Sequence, residues 1–205
     1  MSEEIAEKIV RELEHLRAAI RYVAERKDVT SCRTAIDGGA NIGLWTEEMA
    51  EQFDRVYAFE PAEDTAQRLE RRIGNLSNVV IRREALWSKS CMISVLEPDN
   101  RPAGRHRSRF VQPGGSIPAI AIDDLQLKDV ALIKLDIEGA EYFALQGARK
   151  TLKHCRPVVI LEELRKVPQK RYGIELGASG KFLESLGAKL VEQHRFDQIY
   201  VFEKS

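Results

Sequence analysis

The chain has 205 residues, with 32 lysines and arginines against 32 aspartates and glutamates. That length suits one domain with a sizeable core and is short for two. A balanced charge gives no global field for nucleic acid or a membrane surface, so partners must be argued from local features. At the start, Ile5, Ile9, Leu13, Leu16, Ile20 and Val23 recur at helical spacing, which predicts an amphipathic helix over residues 3–27. Such a stripe packs on its own domain, covers a ligand or joins a second copy as a homodimer, and the spacing does not choose among these. Residues 1–30 are therefore read as an N-terminal helix and 31–205 as the body of what is a single domain overall.

The next stretch, Ala35-Ile36-Asp37-Gly38-Gly39-Ala40-Asn41-Ile42-Gly43, joins an apolar strand end to a helix start through a glycine turn. Glycines there let a ligand approach the backbone, and the free N–H groups of the turn are expected to face an anionic group. The dinucleotide fingerprint would need glycines at 38, 40 and 43, but position 40 is Ala40, and no Gly-Lys-Ser/Thr follows to make a P-loop. What fits is Asp-x-Gly-x-x-x-Gly, as Asp37, Gly39 and Gly43. That form occurs in proteins that bind S-adenosylmethionine (SAM), whose ammonium and sulfonium suit an acid at the strand tip. The other reading is an ordinary strand-to-helix turn.

A helix over 44–52 leads to the strand Arg55-Val56-Tyr57-Ala58-Phe59-Glu60, closed by Pro61. An acid at the end of the second strand of such a βαβ unit sits where a ribose lies, and its two oxygens can accept both ribose hydroxyls. A helix over 63–75 and a third strand over 79–83 bring Glu84, Ala85 and Leu86 toward the position of the adenine, with Glu84 an acceptor for its amino group. Strands over 91–96 and 117–122 then read as a hairpin-like insertion. Its loop carries Arg101, Arg105, His106, Arg107 and Arg109, either as a solvated surface or as a grip for an anionic acceptor.

Ala131-Leu132-Ile133-Lys134-Leu135 reads as a strand buried on both faces, continued by Asp136-Ile137-Glu138-Gly139-Ala140-Glu141. On an extended strand Lys134, Asp136 and Glu138 point the same way, and charge at the carboxyl end of a central strand marks the crevice of an open α/β sheet. For Glu138 and Glu141 the alternative is favourable charge at the start of a helix over 141–153. A further strand over 157–162 ends in Glu162; a short helix over 181–186 and a strand pair, 188–191 with 198–202, close the chain. The whole pattern predicts a doubly wound, mostly parallel α/β sheet with an antiparallel end.

In order and spacing, the glycine loop, Phe59-Glu60-Pro61, Ala85-Leu86, Ile122-Asp123-Asp124-Leu125 and Ile133 through Glu141 resemble FkbM-type methyltransferases, a Rossmann-like branch of the class I SAM-dependent fold. The resemblance covers about residues 34–165. It implies SAM as cofactor, held by Asp37, Gly38, Gly39, Ala40, Asn41, Gly43, Glu60, Pro61, Glu84, Ala85, Leu86 and Asp136. It also implies O-methyl transfer to a hydroxyl of a small molecule, sugar or secondary metabolite. A hydroxyl needs a general base, and Asp136, Glu138 and Glu162 are the candidates, with Lys134 placed to tune a neighbouring pKa or to pair with an acid for structure. No metal set is apparent; Asp136 with Glu162 is the nearest approach to a Mg²⁺ pair. Cys32, Cys91 and Cys155 are an odd set without metal-type spacing, which together with the absence of a signal peptide or long apolar run leads us to expect a cytoplasmic protein. A nucleotide-dependent oxidoreductase and a catalytically silent binding module are the competing readings.

Overall fold

The computed structural model describes residues 3–25, 33–97, 109–162, 167–194 and 197–203. In chain order the elements are α1 (Glu3–Glu25), β1 (Thr34–Gly38), α2 (Leu44–Gln52), β2 (Arg55–Phe59), α3 (Glu63–Ile73), β3 (Val79–Arg82), β4 (Ala85–Leu86), β5 (Cys91–Leu96), β6 (Phe110–Pro113), β7 (Ile117–Ile120), β8 (Val130–Leu135), α4 (Glu141–Gln146), α5 (Arg149–Cys155), β9 (Val158–Glu162), α6 (Val167–Tyr172), α7 (Ala178–Ser185), β10 (Ala188–His194) and β11 (Asp197–Phe202). Seven strands form one sheet in the order β10-β11-β9-β8-β1-β2-β3. The pairs from β9 to β3 are parallel, while β11 runs antiparallel to both of its neighbours. This is the doubly wound sheet with an antiparallel end that the alternation of patterns predicts.

Period-two alternation distributes the central strands between two cores. Ile36 and Ile133 enter one cluster with Leu145, Leu152 and Phe182. Their neighbours Ala35 and Leu132 enter the other, with Met49, Ile160 and Leu16. Both faces of β1 and β8 are thus covered, which explains why β8 reads as a near-continuous apolar run.

Helix α1 supplies Leu16 and Ala19, both fully buried, to the second cluster. It is pinned by His15 to Asp197 at 2.8 Å and by Arg17 to Glu48 at 2.8 Å. The helix lies on a face of the sheet, against strands β8, β9 and β11. Among the described residues no helix is long and apolar enough to cross a membrane.

Two expectations need correction, and one element escaped the sequence reading. The insertion is more than a hairpin: β6 adds to β5, and β7 bridges β5 to β4, giving a second, four-stranded sheet. The helix expected over 141–153 is broken into α4 and α5 at Gly147. A side chain there would put its Cβ 2.1 Å from the Trp87 carbonyl oxygen, and Asp123 restarts the helix by accepting the Lys150 and Thr151 amides at 2.9 and 2.8 Å. Finally, α6 falls where the sequence pattern shows no element. Its six residues are too few for a helical period to show.

Candidate functional site

The carboxyl ends of β1, β2 and β8 open into one cleft, walled on its far side by β4 and the second sheet. Its empty space, counting the part open to solvent, is about 760 Å³. Of the residues singled out from sequence, Gly39, Asn41, Glu60, Pro61, Glu84, Ala85, Leu86, Asp136 and Glu138 line it. Residues from stretches between 34 and 138 are brought together by strand order alone. Val95 and Val111, which also line the cleft, escaped the sequence reading because only the pairing of β5 with β6 puts them there.

The glycine loop is built differently from expectation. The amides of Gly39 and Ala40 both donate to the Phe59 carbonyl at 3.0 Å, and that of Gly43 to the Ala40 carbonyl at 2.9 Å. The Asn41 amide donates to Glu60 Oε2 at 3.1 Å. These N–H groups are therefore spent inside the chain and are not offered to an anion; a loop tucked against β2 must satisfy its own donors. The glycines make room for the protein itself. A Cβ at Gly39 (φ +75°) would fall 1.9 Å from the Asp136 carbonyl oxygen, one at Gly38 2.9 Å from Leu135 and Leu86, and one at Gly43 2.8 Å from Leu69. Gly38, Ala40 and Gly43 lie behind the cleft wall and do not line it.

Asp37 corrects the sequence reading most. Its side chain is fully buried and does not line the cleft, so it is not placed to meet the cationic groups of a ligand. Thr46 donates to Oδ2 at 2.6 Å, and the Lys134 ammonium stands 2.9 Å from Oδ1. Lys134 is spent in the same way: it donates to the Gly39 and Gly38 carbonyls at 2.8 and 3.2 Å. Burial alone would lower the Lys134 pKa, but the charges of Asp37 and Asp136 outweigh it and the net shift is upward. Lys134 is thus a paired strand lysine and not a group facing substrate.

Glu60, 9% exposed, is held in place by its own backbone. Oε1 accepts the Ala62 amide at 3.0 Å while Oε2 accepts that of Asn41. Burial raises its pKa, opposed by those two amides. At Glu84 both oxygens engage Arg82, at 2.5 and 2.8 Å, so an adenine amino group would share an acceptor already paired. Arg109 lines the cleft with its guanidinium tied to Asp64, Glu97 and Thr65. The expectations for Arg101, Arg105, His106 and Arg107 lie outside the described residues.

The reaction end holds Asp136, Glu138 and Glu162. Asp136 follows the last residue of β8, anchored by its amide to the Gly38 carbonyl at 3.1 Å, and is exposed to the cleft. The strand does not continue as far as Glu138, whose φ is +58°; the turn reaches the cleft by a different path, with Arg171 donating to the Glu138 carbonyl. Buried Glu141 ties this turn, accepting the Ile137 and Gly139 amides at 2.9 and 3.1 Å. Burial pushes its pKa to about 8. Glu162 is pushed further, to about 10, by burial and then by the charge of Asp136 and a hydrogen bond to it. Adjacent carboxyls cannot both ionise cheaply, which makes Glu162, the more buried of the two, the poorer candidate for a base. Among the described residues no group of three or more His, Cys, Asp or Glu is placed to hold a metal.

The structure of methyltransferase FkbM from Methylobacillus flagellatus KT is similar to this chain at 20% identity and a TM-score of 0.55, over 84% of this chain and 44% of that one. The chain thus spans under half the length of that relative. SMU.1697c from Streptococcus mutans, in complex with SAH, gives 11% identity and a TM-score of 0.55 over 90% and 94% of the two chains. Fibrillarin from Aeropyrum pernix, with natively bound S-adenosyl-L-methionine, gives 12% and 0.51 over 91% and 73%. At these identities the likeness speaks for the fold, that of class I methyltransferases. A search of curated proteins finds no match. The sequence profile of the Methyltransferase FkbM domain matches residues 37–201, from the glycine loop through Glu60 and the Asp136 turn to the last strand. The chain therefore belongs to the FkbM methyltransferase family.

Proposed function

We propose that this protein binds SAM in the cleft and transfers its methyl group to a hydroxyl of a small-molecule acceptor. The observation that carries the reading is the convergence of Gly39, Glu60 and Asp136 on one cleft at the carboxyl ends of three adjacent strands. The residues fit the cofactor at its ribose: the Glu60 carboxylate lines the cleft and is held rigid by two amides, leaving lone pairs for a pair of hydroxyls. When bound, SAM supplies an electrophilic methyl carbon on a good leaving group. The chain has then to align an oxygen with it and to remove the oxygen's proton.

Asp136 is our assignment for that proton. It is a strand-end carboxyl exposed to the cleft, whereas Glu162 beside it does not line the cleft and burial disfavours its ionised form. A positioned base is worth ~10²–10⁴ in rate. Calorimetry with SAM, SAH and NAD tests the donor; SAM that fails to bind while NAD does would support an oxidoreductase. Once an acceptor is found, Asp136→Asn should lower turnover by about that factor and leave SAM affinity nearly unchanged. A variant as fast as wild type would move the base to Glu138.

A further inference from the structure

Asp37 and Lys134 face each other in the parallel register of β1 and β8, so their side chains stand on the same face of the sheet. Lys134 is 4% exposed and Asp37 not at all. Asp37 Oδ1, fully buried, faces the Lys134 ammonium at 2.9 Å as an ion pair. That ammonium's directed bonds go to the carbonyls of Gly38 and Gly39. The Gly38 carbonyl also receives the Asp136 amide. The loop is thereby drawn onto the end of the strand that presents Asp136.

Such a pair is a poor way to gain stability. Well-packed apolar residues of similar volume are usually as stable as a buried ion pair or more so. What apolar residues would not do is hold two consecutive peptide groups in fixed orientation. Those groups precede the Asn41 amide that braces Glu60, so any rotation of them would move both Glu60 and the Asp136 carboxylate relative to the cleft.

We infer that Asp37 and Lys134 are a positioning pair: the ammonium, neutralised by Asp37, clamps the Gly38 and Gly39 carbonyls and so fixes the glycine loop, Glu60 and Asp136 in one arrangement. The acid of the loop motif acts by shaping the loop and touches no ligand. The inference deepens the cofactor reading above and rests on it only where SAM affinity is measured.

The test compares wild type, Asp37→Asn, and the double variant Asp37→Asn/Lys134→Met, in which no charge is left buried and the new side-chain amide keeps an acceptor for Thr46. Three quantities are read: thermal unfolding, amide hydrogen exchange at residues 38–43 against that of β9 in the ligand-free protein, and the SAM Kd by calorimetry. The double variant strands no charge and should melt well above a variant that leaves Lys134 unpaired, its remaining cost being that of polar groups left without a partner. Its loop amides should nevertheless exchange ~10-fold faster or more while β9 keeps its protection, and the Kd should rise at least about tenfold. Wild-type exchange and wild-type Kd in the double variant would overturn the inference, since the pair would then be replaceable filling. If the double variant does not fold, Asp37→Asn decides: it keeps the side chain's shape and the Thr46 contact, and unchanged loop exchange in it would overturn the inference equally. If wild type fails to bind SAM, the cofactor reading falls, while the exchange comparison still judges the pair.

Discussion

Replacing Glu60 by alanine separates two roles that a sequence would merge. A solvated ribose acceptor could be removed with little loss of stability, but in this fold Glu60 is buried and takes the Ala62 and Asn41 amides on separate oxygens. Each hydrogen bond to a charged acceptor is worth ~1.5–3 kcal/mol. The sum is an upper bound, because burial already disfavours the ionised carboxylate and water can enter from the cleft. A net loss of ~2–4 kcal/mol remains, and at ~2–4 °C per kcal/mol for a chain of this size the melting temperature should fall by ~4–16 °C. Glu60→Gln can satisfy one amide with its oxygen but presents an NH₂ to the other, so its loss should be about half of that. Thermal unfolding followed by circular dichroism, in the absence of ligand, reads both variants. An alanine variant that melts within ~1 °C of wild type would refute the bracing role, whatever it does to SAM affinity.

Gly39→Ala should destabilise by ~2–6 kcal/mol, combining a strained positive φ with overpacking against the Asp136 carbonyl, a backbone atom that cannot swing aside; a wild-type denaturation midpoint would show that the loop yields more easily than its contacts imply. Glu141 gives a pH signature. Its folded-state pKa, about 8, lies above the 4.5 of the free side chain, so the stability it lends is complete below pH 4.5 and is lost as pH rises through 8. Glu141→Gln keeps an acceptor for Ile137 and Gly139 but cannot ionise. It should flatten the decline in stability over that window, an effect of order a few kcal/mol, and an unchanged slope of melting temperature against pH would place the titrating group elsewhere. Glu162, raised to about 10 against 4.5 for the free side chain, has the same sign: the stability it lends is lost as pH rises toward 10, so Glu162→Gln should remove its share of the alkaline decline, and an unchanged slope would show that it does not titrate there.

Much of the fold was legible in the chain because its signals are local. Buried strands such as β8 read as apolar runs, α1 shows its stripe, and Glu60-Pro61 ends a strand by its own chemistry. From these the doubly wound sheet and the ends of β1, β2 and β8 as the place of the cleft follow without coordinates. What only the tertiary structure decided is where each polar side chain spends its hydrogen bonds. Asp37 and Lys134 are far apart in sequence but opposite each other in register, so the charge that looked available for a ligand is consumed by the protein. Gly39 reads as room for a ligand, yet the atom it makes room for is the Asp136 carbonyl. Glu162 reads as a third candidate base after Asp136 and Glu138, and its burial beside the Asp136 carboxyl, which raises its pKa, weakens that role. Residue type and spacing set what a side chain can do. Which of those options it takes depends on the groups that the strand order brings within about 3 Å of it, because hydrogen bonds and buried charges are decided at that range.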